Sequence, residues 1–283
     1  MTGVLVTGGT GKIGRELVKL LRANGVPVRV GSRTPAAGDP DAVRFDWDDL
    51  ATHPAALAGQ DRVFLVPPTQ SADPLPAVVP FLGRAQSLGV RQVVLLGSAI
   101  PLAPTAQELA AHVRAQPGGV VLRASGFMQN FLSPHPLGER IRRTGQIRTA
   151  AGDGRVAWID ARDIAATAAA ILMSDLAVAR DERDHLLTGP EALSYPQAAA
   201  IITTRTGRQV RVVHVSADEQ AADLRAAGIP PAFATILATA DAGVRPGQED
   251  RLSTAVLDLT GRPPRTFAQF VREHAARWTT PTV

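Results

Sequence analysis

Apolar residues along this chain fall into two kinds of stretch. Some are short continuous runs, and in others apolar positions recur every three or four residues. Val4-Leu5-Val6 is the first run, and Arg15-Glu16-Leu17-Val18-Lys19-Leu20-Leu21 follows with helical spacing. Asn24-Gly25 is a good helix end. Residues 26–30 then predict a second strand, with Pro27 tolerated at its start. Val43-Arg44-Phe45 predicts a third strand, and residues 62–66 a fourth, closed by Pro67-Pro68. A helix at about 77–88, stopped by Gly89, leads to a fifth strand at 92–96 that ends in Gly97-Ser98. Residues 120–123 predict a sixth. Continuous apolar runs of this length suit strands buried on both faces. Strands alternating with helices predict an α/β fold, a Rossmann-type doubly wound parallel sheet.

Further along, Trp158-Ile159-Asp160 and Asp163-Ile164 open an alanine-rich helix running to about residue 173, with Asp163 expected as its N-cap. Residues 185–188 are short enough for a strand that returns to the sheet. From Gly189 onward the spacing predicts a helix, a strand at 210–215 and further helices to Trp278. That is too little for a second Rossmann unit and enough for a smaller C-terminal α/β lobe over a substrate.

Between the first strand and the first helix stands Thr7-Gly8-Gly9-Thr10-Gly11-Lys12-Ile13-Gly14, with a G-x-x-G-x-x-G spacing at Gly8, Gly11 and Gly14. Gly8 can take the angles of a tight turn. Gly11 has no side chain to hold a phosphate off the backbone, and Gly14 lets the helix pack close to the sheet. First-turn N–H groups near Lys12 and Ile13 then point at negative charge, and the helix dipole adds to the attraction. Such a triplet is weak alone, but a strand before it and a helix after it make it a dinucleotide-pyrophosphate signal.

An NAD-binding version usually carries Asp or Glu after its second strand, to hold the ribose hydroxyls. Here that place reads Gly31-Ser32-Arg33-Thr34. Arg33 is a planar cation suited to a phosphate, Ser32 is a donor beside it, and Lys12 could reach the same phosphate. The pattern predicts NADP(H) as cofactor, with NADPH preferred over NADH; the alternative is that Arg33 is a solvated surface arginine. Asp46, after the third strand, is placed for the adenine end of the cofactor or for capping the next short helix. Residues 1–157 are expected to form the NAD(P)-binding Rossmann domain and 158–283 mostly the C-terminal substrate lobe.

Composition narrows the field. At 283 residues and 45% hydrophobic content the chain can bury a full core. No run is long and charge-free enough to span a membrane. The first strand begins at residue 4, which leaves no room for a signal peptide, so a cytoplasmic location is expected. There is no cysteine, which excludes disulfides, thiolate nucleophiles and cysteine metal sites. The 6 histidines are scattered without ligand spacing, so no metal site is expected. Net charge is +4, and Arg140, Arg142, Arg143 and Arg148 are the one local basic cluster. Aromatics are only 4% of the chain, so this cluster predicts a solvated helix end and no direct nucleic-acid partner. The expected partner is a small-molecule substrate; a homodimer is left open.

Several blocks together resemble the NmrA-like branch of the atypical short-chain dehydrogenases/reductases, near the ergot-alkaloid-type (agroclavine dehydrogenase-like) reductases. They are Thr7 to Gly14, Gly31-Ser32-Arg33, Phe45-Asp46-Trp47, Val66-Pro67-Pro68 and Phe127-Met128-Gln129-Asn130-Phe131, then Gly152-Asp153-Gly154-Arg155, Asp160-Ala161-Arg162-Asp163-Ile164-Ala165, the Leu187-Thr188-Gly189-Pro190 block through Tyr195, and Thr260-Gly261-Arg262-Pro263-Pro264-Arg265-Thr266-Phe267. The resemblance covers nearly the whole chain. It implies NADP(H) contacts at Thr10, Gly11, Lys12 and Ile13 and at Ser32 and Arg33, with adenosine contacts near Asp46, Val66 and Pro67. It places Ser98 and the segment with Phe127, Met128 and Asn130 near the nicotinamide and substrate. The stretch between Ser98 and Leu122 is short for this family, which leaves that pocket wall open.

Classical members of the wider group use a Tyr-x-x-x-Lys pair, in which lysine lowers the tyrosine pKa and tyrosine moves a proton. This chain cannot build one. Its single tyrosine, Tyr195, is followed by Pro196-Gln197-Ala198-Ala199, and its only lysines are Lys12 and Lys19. Tyr195 is expected to be a packing residue at a helix start. Hydride transfer to an electron-poor acceptor, such as a quinone or an iminium, still works without that pair, because the cofactor carries the chemistry. The alternatives are a non-catalytic NADP(H)-binding redox sensor and a non-redox isomerase or cyclase on the same fold. Candidate proton-handling residues are Ser98, Ser125, His135 and Asp160. His135 could equally be a plain loop residue, and Asp160 a structural partner near a helix start.

Overall fold

The computed structural model describes residues 3–100, 102, 105–174, 183–245, 247 and 249–279. In chain order its elements are β1 (Val4–Val6), α1 (Lys12–Ala23), β2 (Val28–Ser32), β3 (Ala42–Arg44), α2 (His53–Leu57), β4 (Arg62–Leu65), α3 (Leu75–Ser87), β5 (Gln92–Ser98), α4 (Ala106–Ala115) and β6 (Gly119–Ala124). Then come α5 (Pro136–Thr144), β7 (Gln146–Thr149), β8 (Arg155–Val156), α6 (Ala161–Met173), β9 (Asp184–Leu187), β10 (Leu193–Ser194) and α7 (Tyr195–Thr206). The rest is β11 (Arg211–His214), α8 (Ala217–Ala226), α9 (Pro231–Gly243), α10 (Ala255–Thr260), α11 (Phe267–Glu273) and α12 (Ala276–Thr279). Three-residue and four-residue 3₁₀ turns lie at Leu50–Thr52 and Met128–Phe131.

The chain forms two compact units, Met1–Arg123 with Ile164–Leu186, and Ala124–Asp163 with Leu187–Val283. The sequence puts one boundary near residue 157 and lets residues 185–188 return to the sheet; the chain returns to the first sheet through α6 and β9. That sheet is seven-stranded and parallel, in the order β3-β2-β1-β4-β5-β6-β9. Val4 pairs with Val28 on one side and Arg62 on the other, and Val63 with Val93. Alternate residues Leu5, Val63, Leu65, Val93, Leu95 and Val121 share one face and one core with Leu57, Val78, Phe81, Leu82, Leu109 and Val113. The intervening Val4, Val6, Phe64 and Val94 are just as fully buried. Two buried faces explain the unbroken apolar runs read in the sequence.

Charge inside the first unit is placed at the end of α6. Arg62, only 6% exposed, donates to the carbonyls of Leu172 and Ser174, and Gln92 Nε2 donates to Ile171 O at 3.4 Å. The last carbonyls of a helix have no intrahelical donor, and a cation there also meets the negative dipole end.

The second unit has two small sheets, β8 antiparallel to β10 and β7 parallel to β11. Its core is aromatic: Phe131, Trp158, Phe267, Phe270 and Trp278 are all buried. Phe131 lies edge-on to Trp158 at 5.0 Å and to Phe267 at 4.8 Å, and Trp278 Nε1 donates to Phe131 O at 2.9 Å. Such pairs each add about 0.5–1.5 kcal/mol beyond their buried area. Complete capping boxes start α7, α8 and α11, through Ser194 with Gln197, Ser216 with Glu219 and Thr266 with Gln269.

Two local expectations are corrected here. Asp163 is not an N-cap: α6 starts at Ala161, and it is Asp160 Oδ1 that accepts from Arg162 N at 2.8 Å. The basic cluster is not a free helix end. Arg148 lies on β7, Arg140 and Arg148 both pair with Asp223, and Arg142 pairs with Glu139.

Candidate functional site

In the first unit, the C-terminal ends of β3, β2, β1, β4 and β5 line up along one edge of the sheet, in that order. The chain reverses its winding between β1 and β4, which is where open α/β sheets bind ligands. The glycine loop leaves β1 at this point. Gly8 has φ +65°, the left-handed conformation that glycine accepts without strain. Gly9 N donates to Gly31 O at 3.0 Å, tying the loop to the end of β2. A Cβ on Gly9 would lie 2.6 Å from Val30 Cγ1. A Cβ on Gly14 would strike Gly8 O and lie 2.8 Å from Gly9 Cα. Gly14 therefore packs against the loop itself, which is a closer constraint than packing on the sheet.

Gly11 is the N-cap of α1 and offers no side-chain acceptor. The N–H groups of Lys12, Ile13 and Gly14 have no carbonyl one turn earlier within the helix. No acidic residue stands in the first turn. Thr10 and Gly11 are exposed, Ile13 is buried, and Lys12 is half-buried, which pushes its ammonium below the usual lysine range. A loop with backbone packed this tightly, opening a helix with no competing carboxylate, fits the pyrophosphate of a dinucleotide.

Thr7 organises the neighbouring strand end. It is fully buried; its Oγ1 accepts from Val66 N at 2.7 Å and donates to Phe64 O at 3.2 Å. Trp47 Nε1 donates to Val66 O at 3.2 Å. The main chain of Val66, next to Pro67, is thus held from two sides. Trp47 belongs to an aromatic cluster with Phe45, His53 and Phe81, and His53 stacks on Phe45 at 4.9 Å. Asp46 accepts from Asp48 N, and the next short helix is capped by Asp49 and not by Asp46.

Ser32 Oγ donates to Thr34 O at 3.0 Å and accepts from Thr34 N at 3.2 Å, a turn that carries the exposed Arg33. The acids of the following loop are taken up, since Arg22 pairs with both Asp39 and Asp41 at 2.7 Å. Ser98 ends β5, half-buried.

The other candidates lie in the second unit. Phe127 and Asn130 are partly exposed, whereas Met128 is fully buried and presents no surface to a ligand. Gln129, between them, donates to Asp160 Oδ1 at 3.0 Å and accepts from Ala161 N at 2.9 Å. Asp160 is fully buried. Burial pushes its carboxyl up, but the hydrogen bonds and charge of Arg162, with Gln129, outweigh this and hold it below the usual range. Arg162 pairs in turn with Glu273 at 2.7 Å. Asp160 is thus an ionised structural partner. His135 is the N-cap of α5, its Nδ1 accepting from Leu137 N at 3.3 Å.

Tyr195 is the first residue of α7 and packs against Trp158 at 5.1 Å. Its hydroxyl donates to Asp241 Oδ1 at 3.2 Å, while Asp241 Oδ2 accepts from Thr149 Oγ1 at 2.6 Å and Ala150 N at 2.8 Å. Burial, and then the charge of Asp241, push the Tyr195 phenol well above its ordinary pKa. Ser125 Oγ donates to Glu249 Oε2 at 3.2 Å, both side chains being buried.

Residues 8–175 match the NAD(P)H-binding family profile. The Bacillus subtilis (strain 168) oxidoreductase YesF is 38% identical over 280 residues, 98% of this chain and 96% of its own length. Agroclavine dehydrogenase of Claviceps fusiformis is 36% identical over 288 residues, covering 97% of this chain and 98% of that protein. The chain belongs to the NAD(P)H-binding family, in its NmrA-like branch of atypical short-chain dehydrogenases/reductases. As in that family, the sheet is Rossmann-like and the cofactor is NAD(P)H. The crystal structure of the Escherichia coli NADPH-dependent quinone oxidoreductase QOR2 complexed with NADPH superposes with a TM-score of 0.77 at 26% identity, covering 95% of this chain and 99% of that one. Among the described residues no helix is long and apolar enough to cross a membrane, and no group of histidine and carboxylate residues could hold a metal ion.

Sequence reasoning missed Thr7, Gly9, Trp47 and Asp241. Thr7 and Gly9 stand inside the quoted motif, and only their neighbours in space show why they are fixed. Asp241 gives no local signal at all, because its partners are 46 and 92 residues away.

Proposed function

We propose that this chain is an NADPH-dependent reductase that passes hydride to a small electron-poor acceptor, a quinone or a cyclic iminium, without a tyrosine–lysine pair. The observation that carries this reading is the state of Tyr195. Its hydroxyl is committed to Asp241 and its phenol is pushed up, so it cannot serve as a low-pKa proton donor. NADPH, when bound, supplies the hydride. The chain's own residues hold and orient it. The glycine loop from Gly8 to Gly14 takes the pyrophosphate, and Val66, Pro67 and Asp46 border the adenosine. Arg33, with Ser32 and Lys12, takes the 2′-phosphate, because the loop's own acids are neutralised by Arg22. Ser98, at the end of β5, is assigned to the acceptor end. The dehydrogenase and quinone oxidoreductase activities in the relatives' names support hydride chemistry on small molecules.

The test is to titrate NADPH and NADH into the purified chain and then follow loss of reduced nicotinamide with quinones and cyclic iminium compounds. Tighter NADPH binding and consumption with either acceptor class are expected. Tight binding with no consumption across the panel would replace the reductase by a redox sensor.

A further inference from the structure

In the first unit, Trp47 commits its only polar atom to the cofactor edge of the sheet. Trp47 follows β3 and Val66 follows β4, with β2 and β1 between them in the sheet. At about 4.8 Å per strand, β3 and β4 run about 14 Å apart. The chain beyond β3 and the Trp47 ring together close that distance, and Nε1 donates to Val66 O at 3.2 Å. Packing alone does not ask for an indole. Trp47 meets Phe45 edge-on at 4.9 Å and Phe81 at 5.2 Å, contacts that any large aromatic ring could make. The N–H is what separates tryptophan from phenylalanine here.

Val66 is where that N–H matters. Its own N–H donates to Thr7 Oγ1 at 2.7 Å. Thr7 has one hydroxyl proton and two carbonyls within reach, Phe64 O at 3.2 Å and Val66 O at 3.3 Å. Phe64 O is the closer, so Trp47 is the steadier donor to Val66 O. The Val66 side chain in turn lies against the glycine loop. A Cβ on Gly8 would stand 3.5 Å from Val66 Cβ and 3.6 and 3.7 Å from its two methyl groups, ordinary van der Waals contact. The segment that carries Trp47 is itself anchored: Asp46 O accepts from His53 Nε2 at 2.9 Å, and Asp46 N donates to Thr52 Oγ1 at 3.1 Å. A continuous line of contacts therefore runs from Asp46 and Trp47 through Val66 to Gly8, all within one unit.

We infer that Trp47 is a positioning residue for the cofactor. Its indole N–H holds Val66 against the glycine loop, so that the adenosine edge and the pyrophosphate cradle are set in one arrangement before the dinucleotide binds. This rests on the placement of the adenosine at Asp46, Val66 and Pro67 in the reductase reading. A site fixed in advance avoids the ordering cost that a mobile one adds to binding. The tie acts on the part that NADPH and NADH share, so it sets affinity and not the choice between them, and it leaves the hydride step alone.

Trp47→Phe keeps an aromatic ring in the cluster and removes the N–H. NADPH and NADH should each bind about fivefold more weakly, close to the worth of one hydrogen bond, with their ratio as in wild type. In turnover, KM for NADPH should rise and kcat should hold. Phe81→Leu is the control, because it loosens the same cluster and leaves the indole N–H in place. Its melting temperature should fall while its NADPH affinity holds. A third measurement needs no variant to fold: in the ¹⁵N-labelled wild type, adenosine 2′,5′-bisphosphate should shift the assigned Trp47 indole N–H signal. Wild-type affinities in Trp47→Phe overturn the inference, as do equal affinity losses in Trp47→Phe and Phe81→Leu, or an indole signal that the bound bisphosphate does not move. The expected affinities in a chain that reduces no acceptor support the tie and overturn the reductase reading alone.

Discussion

The first unit presents mostly main chain where a dinucleotide would lie, whereas the second ties polar side chains to one another across long stretches of sequence. The glycine loop, the first turn of α1 and the backbone of Val66 are positioned by close packing around Gly9 and Gly14 and by Thr7. In the second unit, Asp241 reaches Thr149 and Tyr195, and Glu249 reaches Ser125 across 124 residues. A main-chain site is specified by a few adjacent residues that set φ, ψ and clearance. A side-chain network is specified only once the fold has brought its members together. The difference teaches that a main-chain site can be read locally from the sequence, and a side-chain network cannot.

The sharpest way to break this comparison is Asp241→Ala. It takes the acceptor from the Thr149 and Tyr195 hydroxyls, while Ala150 N keeps Gln220 Oε1 at 2.9 Å, so stability should fall by about 2 kcal/mol. NADPH affinity should stay within about twofold, since Asp241 bonds to Tyr195, Thr149 and Ala150 and to no residue of the glycine loop. Denaturant melts and a binding titration on the same variant check both halves.

Gly14→Ala probes the main-chain side. The new methyl group would strike Gly8 O, so the loop must move. NADPH should bind about a hundredfold more weakly, a loss of about 2.7 kcal/mol. Calorimetric titration measures it, and unchanged affinity would mean that the loop is not the cradle.

Arg33→Ala sharpens the comparison, because Arg33 is the one side chain given a large role in the cofactor site. NADPH affinity should drop about tenfold, or 1.4 kcal/mol, with NADH unaffected. An equal loss for both nucleotides would remove the 2′-phosphate assignment.

The smallest effect is expected at Glu139. The Arg142 hydrogen bond, then that of Ser133, hold its carboxyl down at about 2 against an ordinary 4.5. A carboxyl depressed in the folded state binds its proton more weakly there than in the unfolded chain. Its contribution to stability is therefore present above 4.5 and is lost as pH falls toward about 2. Glu139→Gln should flatten that part of an acid titration of stability, more visibly at low salt, because the pair is on the surface.

Much of the sheet was legible because the central strands are short apolar runs, several of them ended by glycine or proline. Val4–Val6, the strand ending at Pro67 and the one ending in Gly97-Ser98 all stand where that pattern puts them. The helices α4 and α5 gave no comparable signal, since α4 is largely alanine and charge and α5 is four-ninths charged. Residues 101, 103 and 104, within the short stretch after Ser98, lie outside the described residues. The sequence put the cap at Asp163 and not at Asp160, because both stand beside alanine-rich helix and only the Arg162 and Arg265 partners separate their roles. His135 looked like a loop histidine because its acceptor role depends on the turn into Pro136.

The central claim is hydride transfer from NADPH to a small acceptor. The direct measurement uses NADPH carrying deuterium at the transferable C4 position and a cyclic iminium acceptor, with the product read by mass spectrometry. One deuterium on carbon in each product molecule, matched by one NADPH consumed, is the predicted result. NADPH that binds and is not consumed, or a product without the label, would contradict it.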